Sequence, residues 1–246
     1  ASDVYKRQVL RRAFRSFSVG DMSATEFKKV QDRCIHDVVA MQEDVGLHSI
    51  TDGEFRRTSY WSHFVEAVDG LGVAPARFRV RGETGEEKQF LSPHVDGKIH
   101  RSKSYSTDEL RFLLATTDRT PKLTMPSPPS MHFWSGSKFV KRGIYPSEEA
   151  YFDDLIKVYK EEIADVAAAG ARYIQIDEVP LAMLCDPTLR EALQVDGEDP
   201  GRRVNQYIDL MNACFRDRGE VTIGLHLCRG NFKGQWLSEG LSLIHI

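Results

Sequence analysis

The chain has 246 residues, of which 41% are hydrophobic and 28% are charged, and its formal net charge is -3. This is the composition of a globular protein, which excludes a disordered or fibrous chain, and the charge gives no general footprint for nucleic acid. No apolar run approaches the roughly 18 residues that a membrane span needs, and the four cysteines are too scattered for a disulfide framework. We therefore expect a cytoplasmic protein with reduced thiols, no membrane anchor and no nucleic-acid partner.

Four amphipathic helices are predicted in chain order. The first opens at Ser23, which can form a capping box with Glu26. The second opens at Ser106 with Glu109 in the same spacing, and the third opens near Ser147. The fourth carries apolar residues at helical spacing from about 204 to 215.

Each predicted helix is followed by a short apolar strand that ends in polar residues. These strands are 48–54, 122–128, 173–178 and 221–228. Alternating helices and strands favour a parallel sheet, and polar strand ends are typical of a (β/α)8 TIM barrel, whose site lies at the carboxyl ends of its strands. A doubly wound sheet is the alternative, although no Gly-rich phosphate loop follows a strand.

Between residues 77 and 101 the helical pattern gives way to period-two alternation. The segments 77–82 and 94–100 alternate, and Asp96-Gly97 is a strong hairpin-turn pair. We expect a β-hairpin excursion here, either a lid over one end of the barrel or a surface hairpin with no role.

The stretch 224-GLHLCRGNF-232 places His226 and Cys228 on one face of the last predicted strand. Zinc accepts an imidazole nitrogen and a thiolate together, and catalytic zinc sites use three protein ligands with one open position. The pair is therefore a candidate half of a zinc site, and the alternative is a core histidine beside an ordinary cysteine.

Two further stretches carry acids at strand ends. In 51-TDGEFRRTSYW-61, Glu54 could accept an ammonium group and Arg56 or Arg57 could meet a carboxylate; the alternative is that the acids cap the next helix. In 173-YIQIDEVP-180 alternation separates Asp177 from Glu178, so one of the two faces the site.

The Pro-rich strand exit 125-MPSPPSMHFW-134 offers a third group of candidates. It presents Ser127 as a possible substrate contact and Trp134 as a stacking platform for a planar ligand. The alternative for the tryptophan is that it fills space in the core.

Four segments in this order, DGEFRR, KLTMPSP, YIQIDEVPL and HLCRGNF, resemble the cobalamin-independent methionine synthase family, most of all its short single-barrel members. The resemblance covers roughly residues 23 to 237. It implies a (β/α)8 barrel that moves a methyl group from methyltetrahydrofolate to the thiol of homocysteine held on Zn²⁺.

The same resemblance implies roles for individual residues. His226 and Cys228 match two zinc ligands, and Glu54 and Asp177 match the acids that hold the amino group of homocysteine. Trp134 falls near the family's folate-stacking tryptophan.

The sequence also departs from the family pattern. The family's further glutamate and cysteine ligands have no match, since Glu239 lies too close to Cys228 to take that place, and the opening strand is missing before Ser23. We expect one incomplete barrel domain over residues 1–246, holding about strands two to six, with segments 1–8 and 241–246 foreign to the natural protein.

Three other functions stay open. An epoxide–coenzyme M transferase would use the same zinc-activated thiol on a different substrate. A barrel fragment without catalytic activity would bind a ligand at most. A hydrolase would use Glu54 and Asp177 as an acid/base pair, which depends on their separation.

Overall fold

The computed structural model of the chain describes residues 8–81, 87–230 and 238. Helices and strands follow each other in an α/β order. The helices are α1 (Gln8–Ser18), α2 (Ala24–Asp44), α3 (Ser62–Ala67), α4 (Thr107–Thr116), α5 (Ser130–Phe133), α6 (Lys138–Lys141), α7 (Glu148–Ala168), α8 (Pro180–Met183), α9 (Pro187–Val195) and α10 (Pro200–Phe215). The strands are β1 (Ser49–Ile50), β2 (Val68–Pro75), β3 (Val80–Arg81), β4 (Glu87–Lys88), β5 (Leu91–Arg101), β6 (Thr120–Pro126), β7 (Tyr173–Glu178) and β8 (Thr222–Leu227).

A parallel sheet of four strands, in the order β1-β6-β7-β8, forms the centre of the fold. Parallel neighbours need a crossover between them, and α4, α7 and α10 supply those crossovers. The predicted α/β fold with a parallel sheet is therefore confirmed, whereas closure into a barrel stays a prediction. Among the described residues, no helix is both long and apolar enough to cross a membrane.

The main core lies between one face of this sheet and the crossover helices. Ile174 and Ile176 of β7 are fully buried there, as are Leu155 of α7 and Leu110 of α4. Burial of large aliphatic side chains at this density supplies the main stabilisation of such a layer. The opposite face of the sheet is left for polar side chains.

The helix starts at Ser23 and Ser147 are confirmed, because each hydroxyl accepts a hydrogen bond from a first-turn backbone N–H. The capping box predicted for Ser106 and Glu109 is wrong. Helix α4 does begin there, but Ser106 makes no side-chain cap. Glu109 is instead buried and pairs with Arg57, which is 52 residues away in the chain.

The predicted strand 48–54 is shorter in the structure, where β1 ends at Ile50. A turn follows, in which the Thr51 hydroxyl accepts from Gly53 N and the Asp52 carboxylate accepts from Glu54 N. Short polar side chains that bond the backbone two residues ahead favour turns over strands.

The β excursion is present, but its predicted turn is wrong. Strands β2 and β5 pair in antiparallel fashion, and β5 continues from Leu91 to Arg101 with Asp96-Gly97 in a bulge and not in a hairpin turn. The register shifts between Asp69 and Leu71, so that Gly70 faces the extra residues of a bulge. The excursion lies against α7, where Arg101 pairs with Glu162 at 2.7 Å.

Candidate functional site

The polar face of the parallel sheet carries the candidate site. In the register of β7 and β8, Gln175 lies beside Gly224 and Asp177 lies beside His226. Neighbours in register on parallel strands point to the same side of a sheet. The alternation that buries Ile174 and Ile176 therefore places Asp177 and His226 together on the other face.

Asp177 is the acid at the centre of this face. Gln175 Nε2 donates to its Oδ1 at 2.8 Å. Burial, and then the nearby charge of Glu54, raise the pKa of Asp177 to about 6, while the Gln175 hydrogen bond and the charges of His226 and Arg57 oppose that rise. The charge of Glu54 acts on Asp177 because the two carboxylates share one space, which favours a cationic ligand between them.

Glu54 reaches the same space from the turn after β1. Its φ is 56°, the left-handed region that non-glycine residues seldom occupy, and the Asp52 hydrogen bond helps to hold it there. Thr124 Oγ1 donates to Glu54 Oε1 at 2.7 Å, and Arg57 Nη1 lies 3.5 Å from the same oxygen. Strained backbone that the surroundings fix in this way is common at functional sites.

Arg57 forms a buried ionic centre beneath this turn. It is 2% exposed, and its Nε and Nη2 donate to Glu109 at 3.1 and 2.5 Å. Burial raises the pKa of Glu109, but the neighbouring Arg57 and His63 lower it further, to about 2. Arg56 pairs with Asp32 at 2.5 Å. Both arginines that were candidates for a ligand carboxylate therefore have protein partners.

Glu178, the other acid of β7, points into the core and is fully buried. Leu181 N donates to its Oε1 at 2.6 Å. Burial raises the pKa of Glu178 to about 7, although Ser127 and the Leu181 backbone lower it. Of the two acids left open by the sequence, Asp177 is thus the one on the polar face.

Ser127 and Trp134 lie in the protein interior. Ser127 is fully buried, and its hydroxyl lies 2.9 Å from that of Ser130. Trp134 is 3% exposed, and the rings of Phe90 and Phe133 make edge contacts with it. Ser127 N donates to the backbone carbonyl of Asp177 at 3.1 Å, but its buried hydroxyl is hydrogen-bonded to Ser130. The substrate contacts of Ser127 and Trp134 therefore stay predictions.

His226 and Cys228 lie at the carboxyl end of β8. His226 is exposed and Cys228 is half-buried. Cys228 N donates to Glu178 O at 2.8 Å, which extends the ladder between β7 and β8 past the end of the strand. An imidazole and a thiol two residues apart on one edge are the donor types that Zn²⁺ prefers.

Two donors are fewer than a zinc site uses. Within residues 8–81, 87–230 and 238, no group of three His, Cys, Asp or Glu side chains could hold a metal ion. Glu239, considered from the sequence as a ligand, lies outside the described residues. The two donors are right in kind for zinc, but by themselves they do not make a metal site.

Sequence reasoning did not find the neutral residues that connect these acids. Thr124 contacts Glu54 and Arg57, and Gln175 contacts Asp177 and Lys122. Alternation gave one signal, because Thr124, Gln175 and Asp177 share the polar face. The contacts of Thr124 with Glu54 and Arg57, and of Gln175 with Lys122, join residues more than 50 positions apart.

Residues 6–239 match the family described as "Cobalamin-independent synthase, Catalytic domain". The chain is 31% identical over 234 residues to the uncharacterized protein YxjH of Bacillus subtilis, covering 94% of this chain and 61% of that protein. It is 28% identical to 5-methyltetrahydropteroyltriglutamate–homocysteine methyltransferase of Thermosynechococcus vestitus, covering 86% of this chain and 26% of that enzyme. The chain therefore spans less than two thirds of these relatives.

The fold is similar to that of a candidate vitamin-B12-independent methionine synthase from Listeria monocytogenes, with a TM-score of 0.71 and 27% identity over 92% of this chain and 63% of that one. A B12-independent methionine synthase from Shewanella shares the fold at a TM-score of 0.62 and 19% identity, over 87% of this chain and 56% of that one. On the extent of the family match, the chain belongs to the cobalamin-independent methionine synthase family, whose catalytic-domain pattern it matches.

Proposed function

We propose that the protein transfers a methyl group from methyltetrahydrofolate, or a similar donor, to the thiol of homocysteine. The observation that carries this proposal is the shared polar face on which Glu54, Asp177 and His226 meet. Relatives at 28% identity and below are named as methyltransferases acting on homocysteine, which supports this reaction class.

In the proposed complex, the ammonium group of homocysteine lies between the Glu54 and Asp177 carboxylates. Burial and then repulsion from Glu54 raise the pKa of Asp177, and the positive charge relieves that repulsion, so binding and ionisation of the acid support each other. The carbon chain of the substrate then extends toward the end of β8, where His226 lies beside Asp177.

At that end of β8, His226 and Cys228 would hold Zn²⁺ together with ligands from outside the described residues. Bound Zn²⁺ lowers the pKa of a thiol, so the sulfur is a nucleophilic thiolate at neutral pH. The backbone hydrogen bond from Cys228 N to Glu178 O fixes the distance between this ligand and the amino-group site. The protein's own task is thus to orient the substrate between two fixed points.

The test uses the complete gene product, purified with zinc and supplied with methyltetrahydrofolate and homocysteine. We expect methionine as the product, measured by mass spectrometry. Asp177→Asn should raise the KM for homocysteine at least about tenfold, since a charge-assisted hydrogen bond is lost. Asp108→Asn, at an acid whose side chain is 98% exposed, is the matched control and should behave as wild type.

Cys228→Ser tests the metal half of the proposal without an activity assay. We expect its zinc content, measured by atomic emission, to fall well below that of the wild-type protein, because serine is a poor zinc ligand. Wild-type zinc content in Cys228→Ser would argue against Cys228 as a ligand. Absence of methionine formation by the zinc-loaded wild-type protein would refute the proposed reaction.

A further inference from the structure

Each acid of the candidate site accepts a hydrogen bond from a neutral side chain, and that side chain accepts a hydrogen bond from a cation. Lys122 Nζ donates to Gln175 Oε1 at 3.1 Å, and Gln175 Nε2 donates to Asp177 Oδ1 at 2.8 Å. Arg57 Nη1 donates to Thr124 Oγ1 at 3.0 Å, and Thr124 Oγ1 donates to Glu54 Oε1 at 2.7 Å.

The cation fixes the direction of both hydrogen-bond chains. Lysine and arginine side chains can only donate. Gln175 must therefore turn its carbonyl oxygen toward Lys122, which leaves its NH₂ group for Asp177. By the same rule Thr124 accepts from Arg57, so its single hydroxyl proton is available for Glu54.

A donor aimed at a carboxylate holds the acid in one orientation and favours its ionised form. The remaining lone pairs of Glu54 and Asp177 can then accept from a ligand. Thr124 and Gln175 are paired in register on β6 and β7, so the two chains lie side by side on the polar face.

We propose that Thr124 and Gln175 are positioning residues, which hold the Glu54 and Asp177 carboxylates as acceptors for the ammonium group of the amino-acid substrate. Lys122 and Arg57 are the groups that orient them. This inference rests on the proposed function and adds to it four residues that do not themselves touch the substrate.

The test compares two thiols that differ only in the amino group. Homocysteine and 4-sulfanylbutanoate share the carbon chain, the carboxylate and the thiol. Binding is measured by titration calorimetry and KM by methyl transfer, both with the complete zinc-loaded gene product. We expect wild type to bind homocysteine more tightly than the analogue.

The key variants are Thr124→Val and Gln175→Met, which keep the shape of each side chain and remove its donor. We expect each to weaken homocysteine binding about tenfold and to leave the analogue within about twofold of wild type, with kcat little changed. Thr124→Ser keeps the hydroxyl and should restore near wild-type affinity.

We expect Thr124→Val to fold, because a backbone contact of residue 124 remains. In Thr124→Val, Arg57 Nη1 keeps its hydrogen bond to the Thr124 backbone carbonyl at 3.0 Å. Lys122→Arg retains a donor-only cation and should bind homocysteine as wild type does. Lys122→Met leaves the Gln175 amide free to rotate, so we expect a loss of homocysteine affinity smaller than that in Gln175→Met.

Equal weakening of both thiols in Thr124→Val and Gln175→Met would overturn the inference, because it would indicate general disruption of the site. Unchanged homocysteine binding in both variants would overturn it as well. If wild type neither binds homocysteine nor methylates it, the proposed function itself fails, which is a distinct result from a failure of the variants alone.

Discussion

Asp52 is a buried acid in the turn that holds Glu54, and its burial opposes folding. Its side chain is 6% exposed, and only Oδ1 has a hydrogen-bond partner among the described residues, namely Glu54 N. Burial and the charge of Glu109 raise the pKa of Asp52 from 3.8 to about 6. The buried Asp52 carboxylate therefore holds the backbone of Glu54 in place at a cost to the stability of the folded protein.

We expect Asp52→Asn to stabilise the protein at pH 8. The folded state binds the Asp52 proton more tightly than the unfolded state, so the free energy of unfolding falls as pH rises from about 4 to about 6. Removing the charge should recover roughly 1–3 kcal/mol above pH 6 and nothing near pH 4. Urea unfolding at both pH values measures this, and a gain that is equal at pH 4 and pH 8 would contradict the assignment.

Helix α4 is joined to the turn after β1 by the buried pair of Glu109 and Arg57. We expect Glu109→Gln to destabilise the protein by about 3–5 kcal/mol at pH 7, because it leaves the Arg57 charge buried without its main partner. The folded pKa of Glu109 is about 2, below its ordinary 4.5, so this stabilisation is present above pH 4.5 and is lost as pH falls through 2.

The difference in the free energy of unfolding between wild type and Glu109→Gln should therefore become smaller at successively lower pH. Asp108→Asn, which breaks the exposed pair of Asp108 and Arg111 on the same helix, is the control and should leave the urea midpoint in place. A destabilisation by Glu109→Gln that stays constant down to pH 3 would indicate that it comes from altered packing and not from the lost charge.

The bulge between β2 and β5 depends on a glycine. Gly70 has φ 84°, and a Cβ there would lie 2.4 Å from Lys98 O. We expect Gly70→Ala to cost about 2 kcal/mol or more, because steric overlap adds to backbone strain. Gly46 has φ 83° with open space around it, so Gly46→Ala should cost only about 1 kcal/mol. Equal melting temperatures for the two variants would rule out the steric contribution.

The elements that sequence reasoning located correctly have local causes. The Ser23 capping box joins two residues three positions apart, and the alternation of Asp177 with Ile176 is a property of one strand. The errors involve distant partners. The capping box of Glu109 overlooks Arg57, which is far away in sequence. The turn at Asp96-Gly97 overlooks β2, because these two residues lie in the bulge of β5 that faces Gly70. The site shares this limit, since the Lys122–Gln175 and Arg57–Thr124 contacts connect different strands.

At the scale of the whole molecule, β8 lies at the end of the described parallel sheet. Leu225 and Leu227, on the face opposite His226, are 52% and 57% exposed. A strand edge next to exposed leucines favours association with other chains.

We expect the 246-residue chain to self-associate, and Leu227→Lys to reduce that association with little change in melting temperature. Light scattering across a concentration series measures the effect. Leu47→Lys is the matched control, because Leu47 is similarly exposed but lies between α2 and β1. A decrease of the same size in Leu47→Lys would show that added charge, and not the β8 surface, controls association.

The two partners of Arg57 have a consequence for genetics. One guanidinium donates to both Glu109 and Thr124, so under the proposed function a single codon would serve both stability and substrate recognition. In a random mutagenesis screen, alleles of this codon should appear both among heat-sensitive strains and among strains that need extra homocysteine. Second-site suppressors that improve folding should rescue only the first phenotype, because they leave the Thr124 hydroxyl without the donor that directs it.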